Sequence, residues 1–195
     1  AMNKKLIDSL NAMLEYDRKI KVQIEPKPNE PIDRSFCPTV GHVMAISTAT
    51  VAPERVGAVV ESAHAILAGL DPANEMAFAL TFGKLGSVHL NDQNGMKYDQ
   101  DKSFGAENIR SAFNQIKVLC DNNYGSNGEY VGLDVKVMRT QKTDDCYCHI
   151  INSMKMVERL EKKVSIYDNR YAAKLISERN YEELENYVLN LLMNR

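Results

Sequence analysis

Apolar residues recur along this chain with two periods, and the two alternate. Where the spacing is three to four positions, the pattern predicts amphipathic helices. These helices are expected at residues 4–16, 39–47, 74–84 and 106–120, followed by a long helical region from about residue 144 that ends in a stripe of Leu184, Tyr187, Val188, Leu191 and Leu192. Short apolar runs between them predict strands at residues 21–25, 56–60, 85–90 and 130–135.

This alternation predicts an α/β fold in which about four parallel strands are joined by helical crossovers. A complete (β/α)₈ TIM barrel typically needs ~250 residues and eight strands. We therefore expect the C-terminal half of such a barrel over residues 1–143, with a C-terminal helical region over residues 144–195. A half-barrel leaves two strand edges and an apolar inner face uncovered. A homo-oligomer or a complementing N-terminal half-barrel is expected to cover them.

Composition narrows the class of protein further. The chain has 195 residues, of which 44% are hydrophobic and 26% charged, and its formal net charge is −2. No basic stripe predicts a nucleic-acid partner, no apolar run approaches the ~20 residues of a membrane helix, and no secretory signal is recognisable at the N-terminus. Four cysteines are too few for a disulfide framework, so the reducing cytoplasm is the expected location.

Groups that can bind metals stand at the end of each predicted strand. Glu25, Glu61, His89 and Asp134 occupy these four positions. The C-terminal ends of parallel strands form the face on which barrels place their active sites. Since carboxylate oxygens and imidazole nitrogens are ligands of divalent ions, a metal centre is predicted there.

A second set of donors lies close by in sequence. His64 follows Glu61 by three residues, and Asp99 and Asp101 lie in the loop after the third strand. Together these groups are numerous enough for two divalent ions that share Glu61. Lys27, two residues beyond Glu25, is suited to polarising a carbonyl or alkoxide oxygen as charge develops on it. Such a metal pair could orient a polyhydroxyl substrate and act as a Lewis acid.

Four motifs around these residues resemble xylose isomerases. They are IEPKPNEP at residues 24–31 with PTVGH at 38–42, the Glu61-x-x-His64 pair, GMKYDQD at 95–101, and DVKVMRT at 134–140. The first and third motifs are specific, and the resemblance covers most of the chain from about residue 6.

The resemblance implies a metal-dependent aldose–ketose isomerase that shifts a hydride between C1 and C2 of a sugar. One ion, which binds substrate hydroxyls, would be held by Glu25, Glu61 and Asp134. The second, catalytic ion would be held by Glu61, His64, Asp99 and Asp101, and the ions would be Mn, Mg or Co. Lys27 would contact the carbonyl oxygen. The catalytic residues implied are Lys27, His64 and Asp101, and the substrate-binding residues are Lys27, His89 and Asp134.

The chain departs from the family pattern in two respects. His89 stands where the family has an aspartate, as it does in enzymes of the L-rhamnose isomerase type, and imidazole favours Mn or Co over Mg. The family's N-terminal half, with its ring-opening histidine–aspartate pair and aromatic pocket wall, has no counterpart here. Little or no activity is therefore expected of this chain alone. Alternative functions are an inactive or structural half-barrel, and a sugar epimerase or endonuclease-type barrel of the same superfamily.

Overall fold

A computed structural model describes residues 1–194 of the chain. Its longer helices and its strands alternate in the predicted order. They are α1 (Met2–Tyr16), β1 (Val22–Ile24), α2 (Val40–Thr48), β2 (Val56–Glu61), α3 (Ser62–Leu67), α4 (Pro72–Thr81), β3 (Leu85–Leu90), α5 (Ile109–Asp121), β4 (Tyr130–Leu133), α6 (Cys148–Ser165), α7 (Asn169–Ser177) and α8 (Tyr181–Met193).

The four strands form one parallel sheet in the order β1-β2-β3-β4. Glu61 is the register partner of His89, and His89 is the partner of Gly132, so the C-terminal strand ends lie at one edge of the sheet. Parallel strands that follow one another in both sequence and space, each crossover carrying a helix, make the α/β arrangement of half a TIM barrel. The predicted fold class is confirmed.

The helix boundaries differ from the predicted ones where side chains cap the backbone. Helix α4 begins at Pro72 because the Asp71 carboxylate accepts a hydrogen bond from the Asn74 amide at 2.8 Å. The same helix stops at Thr81, and Gly83 then adopts a left-handed φ of 62° that reverses the chain before β3. The sequence pattern did not predict α3, a six-residue helix that starts directly after Glu61.

The hydrophobic core lies between the sheet and the helices. Val60 and Val88 from the strands pack in one cluster with Phe113 of α5, and Leu160 of α6 and Val188 of α8 belong to the same cluster. Full burial of an aliphatic or aromatic side chain contributes about 1.5–3 kcal/mol each. The C-terminal helices therefore share the core of the half-barrel, and a domain boundary at residue 143 stays a prediction. Residue 195, the end of the predicted helical region, lies outside the described residues.

The inner face of the sheet is partly polar. Ser87 points to the same face as His89, because the two positions are separated by one residue in β3. The Ser87 hydroxyl donates a hydrogen bond of 2.6 Å to Oε1 of Gln23 in β1. The expectation of a simply apolar inner face is thus wrong at these positions. Among the described residues, no helix is both long and apolar enough to cross a membrane.

Candidate metal centre

The first group of potential ligands, here called the strand-end cluster, consists of Glu25, Glu61, His89 and Asp134. One ligand atom from each of these residues lies within 4.8 Å of all the others. His89 Nδ1 is 3.3 Å from Glu25 Oε2 and 3.8 Å from Asp134 Oδ2. Ligands that face each other across a divalent ion are roughly 4–5 Å apart. The four side chains, each from a different strand end, therefore match the span of one ion.

The second group, the loop cluster, consists of Glu61, His64 and Asp99. Helix α3 starts directly after Glu61, which places His64 on the same side of the chain three residues later. His64 Nε2 lies 3.3 Å from Glu61 Oε1 and 3.1 Å from Asp99 Oδ2. Glu61 thus belongs to both clusters, as expected for a carboxylate that bridges two ions.

Charge is poorly balanced around Glu61. Its side chain is only 1% exposed, and burial together with the neighbouring Glu25 carboxylate raises the pKa of Glu61 to about 10. Contact with the His89 imidazole lowers the pKa of Glu25 to about 2. The same contact raises the pKa of His89 above its ordinary value. A buried carboxyl group beside a second carboxylate is costly unless a cation lies between them.

The unsatisfied polar atoms point to the same space. Within residues 1–194, five buried side-chain nitrogen or oxygen atoms make no hydrogen bond, and four of them belong to the two clusters: Glu61 Oε2, Asp99 Oδ1, His64 Nδ1 and His89 Nδ1. The two imidazole nitrogens only approach the Glu25 oxygens, at 3.3 Å each. Buried polar groups are nearly always hydrogen-bonded, so such a concentration needs an explanation. Carboxylate oxygens and imidazole nitrogens are donors for Mn, Co and related divalent ions. The donor set therefore fits the metal pair that the sequence predicts.

Asn91 is a central residue that the sequence interpretation missed. It follows β3 directly and is 1% exposed. Its Nδ2 lies 2.9 Å from Glu61 Oε1, 3.2 Å from Asp101 Oδ1 and 2.9 Å from the Asp134 carbonyl oxygen. Its Oδ1 accepts a 2.7 Å hydrogen bond from the Ala63 amide. Asn91 therefore connects three strand ends around the clusters, and a polar residue directly after a buried strand was the available signal.

Two lysines contact the loop aspartates. Lys27 Nζ is 2.5 Å from Asp99 Oδ2, and Lys136 Nζ is 2.7 Å from Asp101 Oδ2. Burial raises the pKa of Asp99, but hydrogen bonds from His64 and Lys27 outweigh it and hold that pKa well below its usual range. Burial lowers the pKa of Lys27, but the Asp99 carboxylate raises it by more. Asp101, a predicted ligand, faces Lys136, and burial raises its pKa.

The loop between β3 and α5 is shaped by its own polar residues. Asp92 Oδ2 accepts hydrogen bonds from the amides of Glu107 and Asn108 at 2.8 and 3.1 Å, which ties the loop to the start of α5. The Gln93 side chain donates to the Tyr98 carbonyl oxygen at 2.8 Å. Asp101 adopts a left-handed φ of 44°. Asp92 thus anchors the loop to the residues just before α5, whose N-cap is Asn108. The loop presents Asp99 to the clusters without contribution from a helix or strand.

The known proteins that are similar to this chain include a bacterial xylose isomerase. No protein-family model matches the chain. Xylose isomerase of Streptomyces lividans is 41% identical over 129 residues, which is 66% of this chain and 31% of that enzyme. The chain thus spans about a third of the length of the curated relative it matches. Over these residues the chain is xylose isomerase-like, and the relationship is a partial, C-terminal one. The four parallel strands of this chain, which form half a barrel, agree with that relationship.

Proposed function

We propose that this chain carries the two-metal centre of an aldose–ketose sugar isomerase. The observation that carries the proposal is Glu61, a fully buried carboxylate shared by two clusters of metal-binding side chains at the C-terminal strand ends. A charged group in this position is stabilised by divalent cations on either side of it. The relationship to xylose isomerase supplies the reaction class. The hydride shift between C1 and C2 of the sugar is what the resemblance of the sequence motifs implies for this class.

The residues divide into roles according to their position. The strand-end cluster would hold the ion that binds substrate hydroxyls, and His89 and Asp134 would contact the substrate; Asp134, at 50% exposure, is the most exposed side chain of this cluster. The loop cluster, joined by Asp101 once it leaves Lys136, would hold the catalytic ion. Lys27 would contact the carbonyl oxygen, where its positive charge stabilises the negative charge that develops during the shift.

The identity of the ion follows from the donor chemistry. Two imidazoles, His64 and His89, contribute to the two clusters. Imidazole binds Mn and Co better than Mg, which prefers oxygen and water. We therefore expect Mn or Co to bind more tightly than Mg.

Catalysis would require more polypeptide than these four strands. The strands β1 and β4 are the two edges of the sheet, and Tyr130 of β4 is 76% exposed. Unpaired parallel edges are stabilised by further strands. We propose that a complementing half-barrel or a second copy of the chain completes the substrate pocket, and that the protein works on a small sugar in the cytoplasm.

Native mass spectrometry of the protein loaded with Mn²⁺ tests this function, because it records metal count and subunit number together. Two Mn²⁺ per chain in the wild type and fewer in Glu61→Gln would support the centre. Aldose–ketose interconversion is then assayed with pentoses and hexoses, with the Glu61→Gln protein as the matched control. A chain that binds no Mn²⁺ under native conditions would refute the proposal.

A further inference from the structure

The carboxylates of the loop are neutralised by cations from within the chain. Lys27 Nζ lies 2.5 Å from Asp99 Oδ2, the same oxygen that approaches His64 Nε2 at 3.1 Å. Lys136 Nζ lies 2.7 Å from Asp101 Oδ2. The side chains of Lys27 and Asp99 are 29% and 10% exposed, so water screens their contact less than it screens a surface ion pair. An ion that enters the loop cluster therefore meets a competing positive charge on its ligand.

We propose that Lys27 acts as an internal competitor of the second divalent ion, so that the strand-end cluster fills first and the loop cluster fills only after Lys27 leaves Asp99. This inference rests on the two-metal function proposed above. Lys27 has another partner available, because Glu30 Oε2 lies 3.7 Å from its Nζ. The side chain of Glu30 is 38% exposed, so the displaced ammonium group can move toward solvent without becoming a buried, unpaired charge.

The strand-end cluster offers no such competition. In the described part of the chain, the basic side chains that contact Glu25, Glu61 and Asp134 are the imidazoles of His64 and His89, and no lysine or arginine pairs with these carboxylates. An imidazole nitrogen can itself be a ligand of the ion, whereas an ammonium group has no lone pair and must move away. The first ion therefore recruits the groups already present, while the second must break an ion pair.

Displacement of Lys27 would also couple metal loading to substrate binding. While Lys27 is held on Asp99, its ammonium group is engaged in a short, charge-assisted contact. When the second ion takes over Asp99, the same ammonium group becomes free to contact a carbonyl oxygen. The group needed by the substrate would thus be released when the catalytic ion has bound.

Calorimetric titration of the metal-free protein with Mn²⁺ tests the order of binding. The wild type should show a tight and a weak site. Lys27→Met removes the ammonium group that the second ion must displace from Asp99. Because that ion no longer has to break a hydrogen bond between charged groups, the weak site should bind Mn²⁺ about ten- to hundredfold more tightly, and the tight site should be unchanged. Lys27→Arg, which keeps the charge, should retain the weak second site. Electron paramagnetic resonance should show coupling between two neighbouring Mn²⁺ ions at lower total Mn²⁺ in Lys27→Met.

The control variant is Lys97→Met, which removes one positive charge from the exposed part of the same loop. It should change the second affinity by less than about threefold, as exposed charges have small effects. An unchanged second affinity in Lys27→Met would overturn the inference, while two bound ions would still support the two-metal centre. Absence of Mn²⁺ binding in all variants would instead overturn the proposed function. The tight site serves as the internal check that each variant is folded.

Discussion

The replacement Glu61→Gln separates the structural from the metal-binding role of this residue. Since the pKa of Glu61 is raised to about 10, its side chain is protonated at pH 7.5 in the metal-free protein, and glutamine has nearly the same shape. Glutamine can still accept the 2.9 Å hydrogen bond from Asn91 Nδ2. Because the unfolded wild type ionises Glu61 at pH 7.5 whereas glutamine never ionises, we expect the metal-free melting temperature of Glu61→Gln to equal or exceed that of the wild type.

Metal should affect the two proteins very differently. With free Mn²⁺ at about 100 times the dissociation constant, binding to the folded state stabilises the wild type by about 2.7 kcal/mol. For a chain of this size that raises the melting temperature by roughly 5–11 °C. Glu61→Gln loses the shared ligand of both clusters, so its increase should fall below about 2 °C under the same conditions.

The assay is scanning calorimetry or fluorimetry at pH 7.5, with and without Mn²⁺, on the wild type and three variants. Glu61→Ala should have a lower metal-free melting temperature than Glu61→Gln, because truncation leaves a cavity and removes the acceptor of Asn91. Glu15→Gln, on the exposed side of α1, should behave as the wild type in both conditions. A full Mn²⁺ increase in Glu61→Gln would refute the assignment of Glu61 as the shared ligand.

Four further predictions concern the strand-end cluster and Asn91 beside it. Binding of Mn²⁺ at pH 7.5 should release about one proton from Glu61, seen as a calorimetric enthalpy that varies with the ionisation enthalpy of the buffer, and identical enthalpies would contradict it. In the metal-free protein the raised pKa of Glu61 contributes stability that is present below its ordinary value of 4.5 and is lost as the pH rises toward 10. The denaturant concentration at the unfolding midpoint should therefore fall as the pH rises over this range. His89→Asp should lower the ratio of Mn²⁺ to Mg²⁺ affinity in competitive titrations, and an unchanged ratio would argue against His89 as a ligand. Asn91→Ala should lower the free energy of unfolding by about 1–3 kcal/mol in urea denaturation, while Asn91→Asp should also change metal affinity.

Much of the fold was accessible from the sequence because the strands are short, apolar and bounded. The run at Leu85–Leu90 was predicted with its observed bounds, and Glu61 and His89 were placed at strand ends where the register now pairs them. Because neighbouring strands run parallel, their C-terminal ends lie together at one edge of the sheet regardless of the conformation of the loops. Position in a strand and side-chain chemistry were therefore sufficient to predict the strand-end cluster.

The contacts of the loop were not accessible in the same way. The pairing of Lys136 with Asp101 joins residues from two loops, and no period or spacing relates them. Asn91 was overlooked because an amide is a poor candidate for a metal ligand, although its value lies in connecting three strand ends. Only the folded arrangement shows which cation each carboxylate meets.

These contacts give the two clusters different starting conditions although they share a ligand. Glu61 is buried and protonated without metal, so the first ion must remove its proton, but it meets no lysine or arginine on its ligands. Once Glu61 is a carboxylate, its second oxygen is available to the loop cluster, which lowers the cost of bringing another positive charge beside His64. The remaining obstacle is the ion pair between Lys27 and Asp99. Through the shared ligand, binding of the first ion thus makes binding of the second more favourable, whereas Lys27 makes it less favourable. The balance of these two effects sets the metal concentration at which both ions are bound.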